Sequence, residues 1–495
     1  MGIIARQSIF NAAYTYLGIL LGVILTLFLY PYILEPEQYG LTRVLVSASI
    51  IGAQFAHLGM RNTVIRFFPF FKNPEKNHSG LLFWAITIPL AGFLIFATIL
   101  WLFREPLIGL YAERSPIFAD YFMYILPLTF FILYFDILNN YLRSLQDSTT
   151  GSMVSEVMLR VAIILMLGIY FTGWISFSTF ILLFALAYGL QPIWLIITLL
   201  KTGELNLRPD FTFMRRSVIR GMTSYGLYTF LGGVTTVIVW NVDIMMLGSM
   251  SGLEQTAIYA IAFYIGTVIT VPQRAIDKIT TPVIAGLIKH KKNWPEVNTI
   301  YRKTSLNQFI AGVLILALIW TNIDMLLSLL PEVYADGKWV VLFIGLGKLF
   351  DMATGANGSI IITSKYYRYD LLFNLLLVIF TVTLNLLLIP RYGINGAAIA
   401  TMLSIFLYNL IKYLFVWLRF SMQPFTPHFL TVALLASASM WIVFQIPDIS
   451  PFTDILVRSA TLLILFLIPV WWFGISEDAN RILRQITDQI LARKP

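Results

Sequence analysis

Apolar runs long enough to cross a lipid bilayer recur along the whole chain, separated by short polar connections. A spanning helix needs about 20 mostly apolar residues. Fourteen such runs appear, at roughly 9–32, 41–66, 81–103, 119–142, 153–171, 177–200, 218–247, 256–285, 306–329, 339–362, 371–390, 394–418, 429–446 and 454–474. The connections carry helix breakers: Glu35-Pro36-Glu37, Asn73-Pro74-Glu75, Gly203-Glu204, Arg208-Pro209-Asp210, Pro390-Arg391 and Pro447-Asp448. Hydrocarbon offers the backbone no water to bond, so each run is expected to close its own hydrogen bonds as a helix. Charged residues make up 12% of the chain, against about 25% in soluble domains. Most of the surface therefore belongs to lipid, and no connection is long enough for a soluble domain. The expected fold is an all-α integral membrane protein of about fourteen transmembrane helices.

Charge distribution orients the spans. With the N-terminus inside, 25 of the 34 Lys and Arg residues fall at inner loops and helix ends, 5 fall outside, and 4 lie within spans. Such a split supports cytoplasmic termini and an even span count. The net charge of +9 reads as this bias together with attraction to anionic lipid, rather than as nucleic-acid binding. Met1–Gln7 leads straight into a span-length run with no small-residue cleavage site, so it reads as a first span and not as a removed signal.

Two halves repeat. Pro36-Glu37-Gln38 corresponds to Leu253-Glu254-Gln255 at an offset of 217, and Thr172-Gly173-Trp174-Ile175 to Tyr392-Gly393-Ile394-Asn395 at 220. Six spans per half keep both repeats in the same orientation, an arrangement in which transporters bind between halves and rock about the site. The expected organisation is an N-terminal six-helix lobe (1–203), a cytoplasmic linker (204–217), a second six-helix lobe (218–420) and two additional helices (421–475). A cytoplasmic amphipathic tail (476–495) follows, with Ile482, Leu483, Ile486, Ile490 and Leu491 at helical spacing.

Several stretches resemble a known family. Ile33-Leu34-Glu35-Pro36-Glu37-Gln38-Tyr39-Gly40-Leu41, followed by Gly59 and Arg66-Phe67-Phe68, looks like the opening of polysaccharide (O-antigen type) flippases. Asn241-Val242-Asp243 with Gly248 and Tyr259 looks like their seventh and eighth spans, and Ile389-Pro390-Arg391-Tyr392-Gly393-Ile394-Asn395-Gly396-Ala397-Ala398 like their late motif. These flippases belong to the multidrug/oligosaccharidyl-lipid/polysaccharide exporter superfamily. The resemblance implies a MATE-like fold with two pseudo-symmetric lobes around a central cavity. It also implies a bacterial cytoplasmic (inner) membrane and an undecaprenyl-pyrophosphate-linked oligosaccharide as cargo.

Charges inside the spans are costly and tend to face an internal cavity. His57 and Arg61 are four residues apart on the second span and share a face; shifted by 217 they fall on Arg274 and Lys278 of the eighth. A pyrophosphate head needs several cationic donors, and Arg suits bidentate phosphate contact. These four are the expected head-group grip, with snorkelling to the inner interface the competing account for Arg61 and Lys278. Arg43 and Lys348 are candidates for the exit half of the same cavity. Lys348 has Asp351 three residues on, close enough to neutralise it, and Glu156 with Arg160 reads as a structural pair. For ion coupling the candidates are Asp136, Asp243 and Asp351. Asp136 is the leading one as an unpaired carboxylate; Asp243 reads more readily as a helix brace.

No cysteine, P-loop, zinc spacing or G-x-S-x-G motif occurs, so no catalytic residue, metal site or cofactor is expected. The longest outer connections, near 103–117 and 323–338, are short for a polymerase or glycosyltransferase. The leading expectation is a carrier moving a lipid-linked oligosaccharide to the outer leaflet by alternating access, for cell-surface polysaccharide synthesis. Its partners would be membrane lipids and the polymerase or glycosyltransferase machinery, and one chain would suffice because it supplies both lobes. A multidrug/cation antiporter, a peptidoglycan-precursor flippase and a membrane glycosyltransferase stay open as alternatives. A cation pump should show acidic cavity residues, whereas basic ones dominate here.

Overall fold

The computed structural model describes residues 3–73, 78–211, 215–291, 293–447 and 450–477. The expected tail helix lies almost wholly outside the described residues. Among the described residues every regular element is helical. Apart from the six-residue helices Arg104–Gly109 and Ile323–Ser328, in chain order they are α1 (Arg6–Ile33), α2 (Pro36–Ala56), α3 (Met60–Phe71), α4 (His78–Leu102), α5 (Ile117–Ser144), α6 (Thr149–Phe171), α7 (Phe177–Lys201), α8 (Arg216–Met250), α9 (Leu253–Lys289), α10 (Trp294–Thr321), α11 (Glu332–Thr354), α12 (Asn357–Thr363), α13 (Arg368–Phe420), α14 (Pro427–Val443) and α15 (Thr453–Trp472).

By length and apolarity ten of these helices can cross a membrane. The count becomes twelve when the bent pairs α2/α3 (42°) and α11/α12 (53°) are each taken as one span. The difference from fourteen has two physical sources. α13 runs 53 residues but breaks at Gly393 (φ 53°, ψ −129°), and α14, at 17 residues, is shorter than the usual span.

Local chemistry explains the starts and breaks. α2 opens with a capping box: Glu35 and Gln38 satisfy each other's backbone amides, and Pro36 occupies the first turn, where its missing N–H costs nothing. Ser176 caps α7 by accepting from the Thr179 amide, and Asn293 caps α10 through the Glu296 amide.

The packing divides the chain into two compact units, Met1–Ala260 and Ile261–Pro495. In the first, α8 packs along α2, α5 packs against α2, α3 and α7, and the core centres on Val64, Phe68, Phe71, Leu133, Ile137 and Tyr141. Close approach relies on glycine. A Cβ at Gly40 would overlap the Leu253 carbonyl, and one at Gly92 the Ala56 carbonyl. Helices meet this way in lipid because van der Waals contact, not water exclusion, drives their association. On α7, Leu182, Leu186, Leu190, Ile193 and Ile197 stay exposed in a stripe, the face left to lipid.

In the second unit α10, α11 and α13 pack together and α14 and α15 join α10. The two halves of α13 fold back on one another at Gly393. A ring of hydrogen bonds stitches them: Lys412 Nζ donates to Asp370 Oδ1 (3.4 Å) and to Tyr408 OH (2.9 Å). Tyr408 OH donates to Asn374 Oδ1 (3.1 Å), and Asn374 Nδ2 to Asp370 Oδ2 (3.0 Å).

Candidate functional site

The second span is broken where the sequence places its basic pair. α2 ends at Ala56, Leu58 sits at φ 48° and Gly59 at φ 82°, and α3 begins at Met60. A left-handed leucine costs about 1–2 kcal/mol, so the surroundings must hold it. A Cβ on Gly59 would overlap the Gly226 carbonyl of α8, which makes glycine obligatory there for space as well as for φ.

His57 closes this break. Its ring is 2% exposed, Nδ1 accepts from the Gly59 amide at 3.0 Å, and Nε2 lies 2.9 Å from Gln54 Oε1. As it stands the imidazole offers no proton to a head group. Arg61, one turn on, pairs with Asp136 Oδ2 on α5 at 3.4 Å, with side chains 41% and 24% exposed. The carboxylate expected to be unpaired is therefore partnered, because α3 and α5 pack together and bring opposite charges to the same level. The exposed remainder of the guanidinium stays available to an anion. Arg66 stacks over Tyr225 at 4.2 Å. Arg43 is half-buried near Tyr30 and Tyr188. Glu156 and Arg160 form the expected pair at 3.0 Å.

In the second unit, α9 presents two different faces. Gln273 and Asp277 turn inward: Gln273 Nε2 donates to Asp351 Oδ2 (3.0 Å), and Gln308 Nε2 of α10 donates to Asp277 Oδ1 (2.7 Å). Arg274 and Lys278, one residue further along, are exposed, and among the described residues neither forms an ion pair. Asp351 receives a second donor, Asn409 Nδ2 at 2.8 Å. Its carboxylate is thus served by two amides, from α9 and α13. Lys348 itself is buried.

Asp243 is buried on α8 and accepts from Tyr259 OH of α9 at 2.9 Å, a brace between neighbouring helices. Sequence reasoning missed Gln54, Asp277, Gln308, Asn409 and the Lys412–Asp370 pair. For Gln54 a signal existed, since it lies three residues before His57 on the same helix face; Asp277 sits on the other face of α9 from Arg274 and Lys278. Gln308 and Asn409 carried none, because amides inside apolar runs read as ordinary packing.

These features define a class before any relative is considered: a multi-pass helical membrane protein with broken spans and polar side chains buried within the bundle. The same fold occurs in the lipid II flippase MurJ in its inward closed conformation, with a TM-score of 0.72 and 15% identity, covering 97% of this chain and 99% of that one. An inward-facing multidrug resistance MATE family transporter of the MOP superfamily matches with a TM-score of 0.60 and 15% identity, over 84% of this chain and 94% of that one. Residues 4–285 match the family described as "Polysaccharide biosynthesis protein", and the chain belongs to that family. A probable flippase of Haloferax volcanii, AglR, is 25% identical over 237 residues, 46% of this chain. The match spans 48% of that relative's length.

Proposed function

We propose that this protein is a flippase that moves an undecaprenyl-pyrophosphate-linked oligosaccharide from the inner to the outer leaflet of the cytoplasmic membrane. It does so by alternating access of two six-helix lobes, as a single chain with both termini cytoplasmic. The product feeds cell-surface polysaccharide synthesis by polymerase or glycosyltransferase machinery. Membership of the polysaccharide biosynthesis family and the fold shared with MurJ support a carrier rather than a catalyst.

The observation that carries the reading is the exposed pair Arg274 and Lys278. Two cations one turn apart on a membrane-spanning helix, with no acidic partner among the described residues, are expensive to keep unless an anion visits them. Arg61, on the first unit, adds a guanidinium whose outer side is free. Arg43 and Lys348 are assigned to later stages of the path. Coupling to an ion, where it occurs, is assigned to Asp351 and Asp277, whose oxygens rest on neutral amides; Asp136 is already neutralised by Arg61, and Asp243 by the arrangement with Tyr259 is a brace.

Purified protein in proteoliposomes, supplied with a fluorescent lipid-linked oligosaccharide, tests the proposal. The double substitution Arg274→Ala with Lys278→Ala should slow flipping by about ten-fold or more, as loss of charge-assisted phosphate contacts implies. Flipping at the wild-type rate, with normal expression, overturns the anionic-cargo reading. Transport of a lipophilic cation in place of the saccharide lipid would favour the antiporter alternative.

A further inference from the structure

We infer that His57 is a positioning residue: in its neutral form, protonated at Nε2, it holds the break of the second span and so sets where Arg61 stands.

The break leaves one backbone group without a helical partner. Gly59 N–H has no carbonyl to reach, and its hydrogen goes to His57 Nδ1 at 3.0 Å. A nitrogen that accepts carries a lone pair, so the ring proton is on Nε2, which donates to Gln54 Oε1 at 2.9 Å. With its oxygen committed, Gln54 turns its Nε2 to the Phe230 carbonyl of α8 at 3.5 Å. The three bonds run in one direction, from the amide of the break to the backbone of a neighbouring helix. Protonating Nδ1 would set N–H against N–H and strand the Gly59 amide at a site where the ring is 2% exposed.

The neighbours are cut to fit this chain of bonds. Gly233 gives Gln54 its room, since a Cβ there would overlap the Gln54 amide nitrogen. Gly226 faces Gly59, and Gly92 faces the last carbonyl of α2. Arg61 lies four residues beyond His57, paired with Asp136, so a second positive charge at the ring would gain no partner of its own. The bend also opens an apolar groove of about 320 Å³ within the first unit, lined by Leu58, Met60, Thr63, Ile88, Met222 and Leu227 among others. The two halves of the span change direction at His57, and the half that follows carries Arg61.

Three substitutions separate holding the break from binding cargo, which is the part that rests on the proposed flippase activity. Asn at 57 puts an oxygen near the place of Nδ1 and accepts the Gly59 amide as in an Asx turn. Gln reaches only the place of Nε2 and leaves that amide unserved. Lys supplies charge without an acceptor. In the proteoliposome assay His57→Asn should keep most of the flipping rate, while His57→Gln and His57→Lys should each fall about ten-fold. The reverse order, with Lys best and Asn worst, would make the residue a cargo cation and overturn the inference.

A second readout needs no cargo. In the ¹⁵N-histidine-labelled protein in lipid nanodiscs there are four histidines to resolve, 57, 78, 290 and 428. The signals lost in His57→Asn, or left after removal of the other three if that variant does not accumulate, should show a protonated Nε2 and a bare Nδ1. Two protonated nitrogens, or a proton on Nδ1 with Nε2 bare, refute the assignment. If the wild-type protein moves no saccharide lipid, the transport reading fails while the ring nitrogens still decide this one.

Discussion

At the scale of residues, the buried charges of this protein are mostly spent on structure. Lys412 is 5% exposed and its ammonium is shared between Asp370 and Tyr408. Removing one member of such a pair leaves the other charge buried without compensation, at a cost of about 3–5 kcal/mol, whereas replacing both is often nearly neutral. Lys412→Ala should therefore destabilise the protein by about 3 kcal/mol in denaturant titration in detergent, and Lys412→Met combined with Asp370→Asn should recover more than half of that loss. The Arg61–Asp136 pair is more open, at 41% and 24% side-chain exposure, and solvent screens it. A double-mutant cycle with Arg61→Ala and Asp136→Ala is expected to give a coupling of about 1 kcal/mol or less. Arg274 and Lys278, exposed and without an ion pair among the described residues, are expected to alter transport more than stability when substituted. Arg61, Asp136, Arg274 and Lys278 stood out in the sequence, and Lys412 entered its Lys and Arg count. Which of them find partners did not, because partners come from other helices at separations such as the 42 residues between Asp370 and Lys412.

At the scale of elements, the broken spans are where glycine and strain concentrate. Gly59 combines a φ of 82° with backbone contact to Gly226, so Gly59→Ala should cost about 2 kcal/mol or more through strain and displacement of α8. Gly232 lies inside α8 with nothing within 4 Å of where its Cβ would be. Gly232→Ala is accordingly expected to leave stability unchanged or raise it by up to about 1 kcal/mol, the helix-propensity difference. Thermal unfolding of the two variants in the same detergent checks both. The sequence placed a helix across 41–66 as one span. Hydropathy averages over a window of about 19 residues, so a three-residue interruption with apolar neighbours on both sides leaves no trace in it. The hairpin at Gly393 was legible because Pro390, Arg391 and Asn395 surround it with polar and breaker residues. The break before α2 was legible for the same reason, in Glu35-Pro36-Glu37.

At the scale of the whole molecule, the asymmetry of Lys and Arg makes a prediction about sidedness. The chain has no cysteine, so single cysteines report cleanly. Glu113→Cys and Glu332→Cys should react with a membrane-impermeant maleimide in intact cells, whereas Lys201→Cys and Lys365→Cys should react only after lysis; the opposite pattern would invert the orientation. What the sequence determined by itself is the class of fold. A chain with so little charge and so many span-length apolar runs has only one way to satisfy its backbone in lipid, and that requirement acts on each segment separately. What only the tertiary structure decided is the state of the side chains within that fold. Arg61 shares its charge with Asp136, Asp351 rests on two amides, and His57 serves a break in its own helix. Such outcomes depend on which helices pack side by side and on angstrom-level fit at glycine contacts, quantities that no local pattern along the chain encodes.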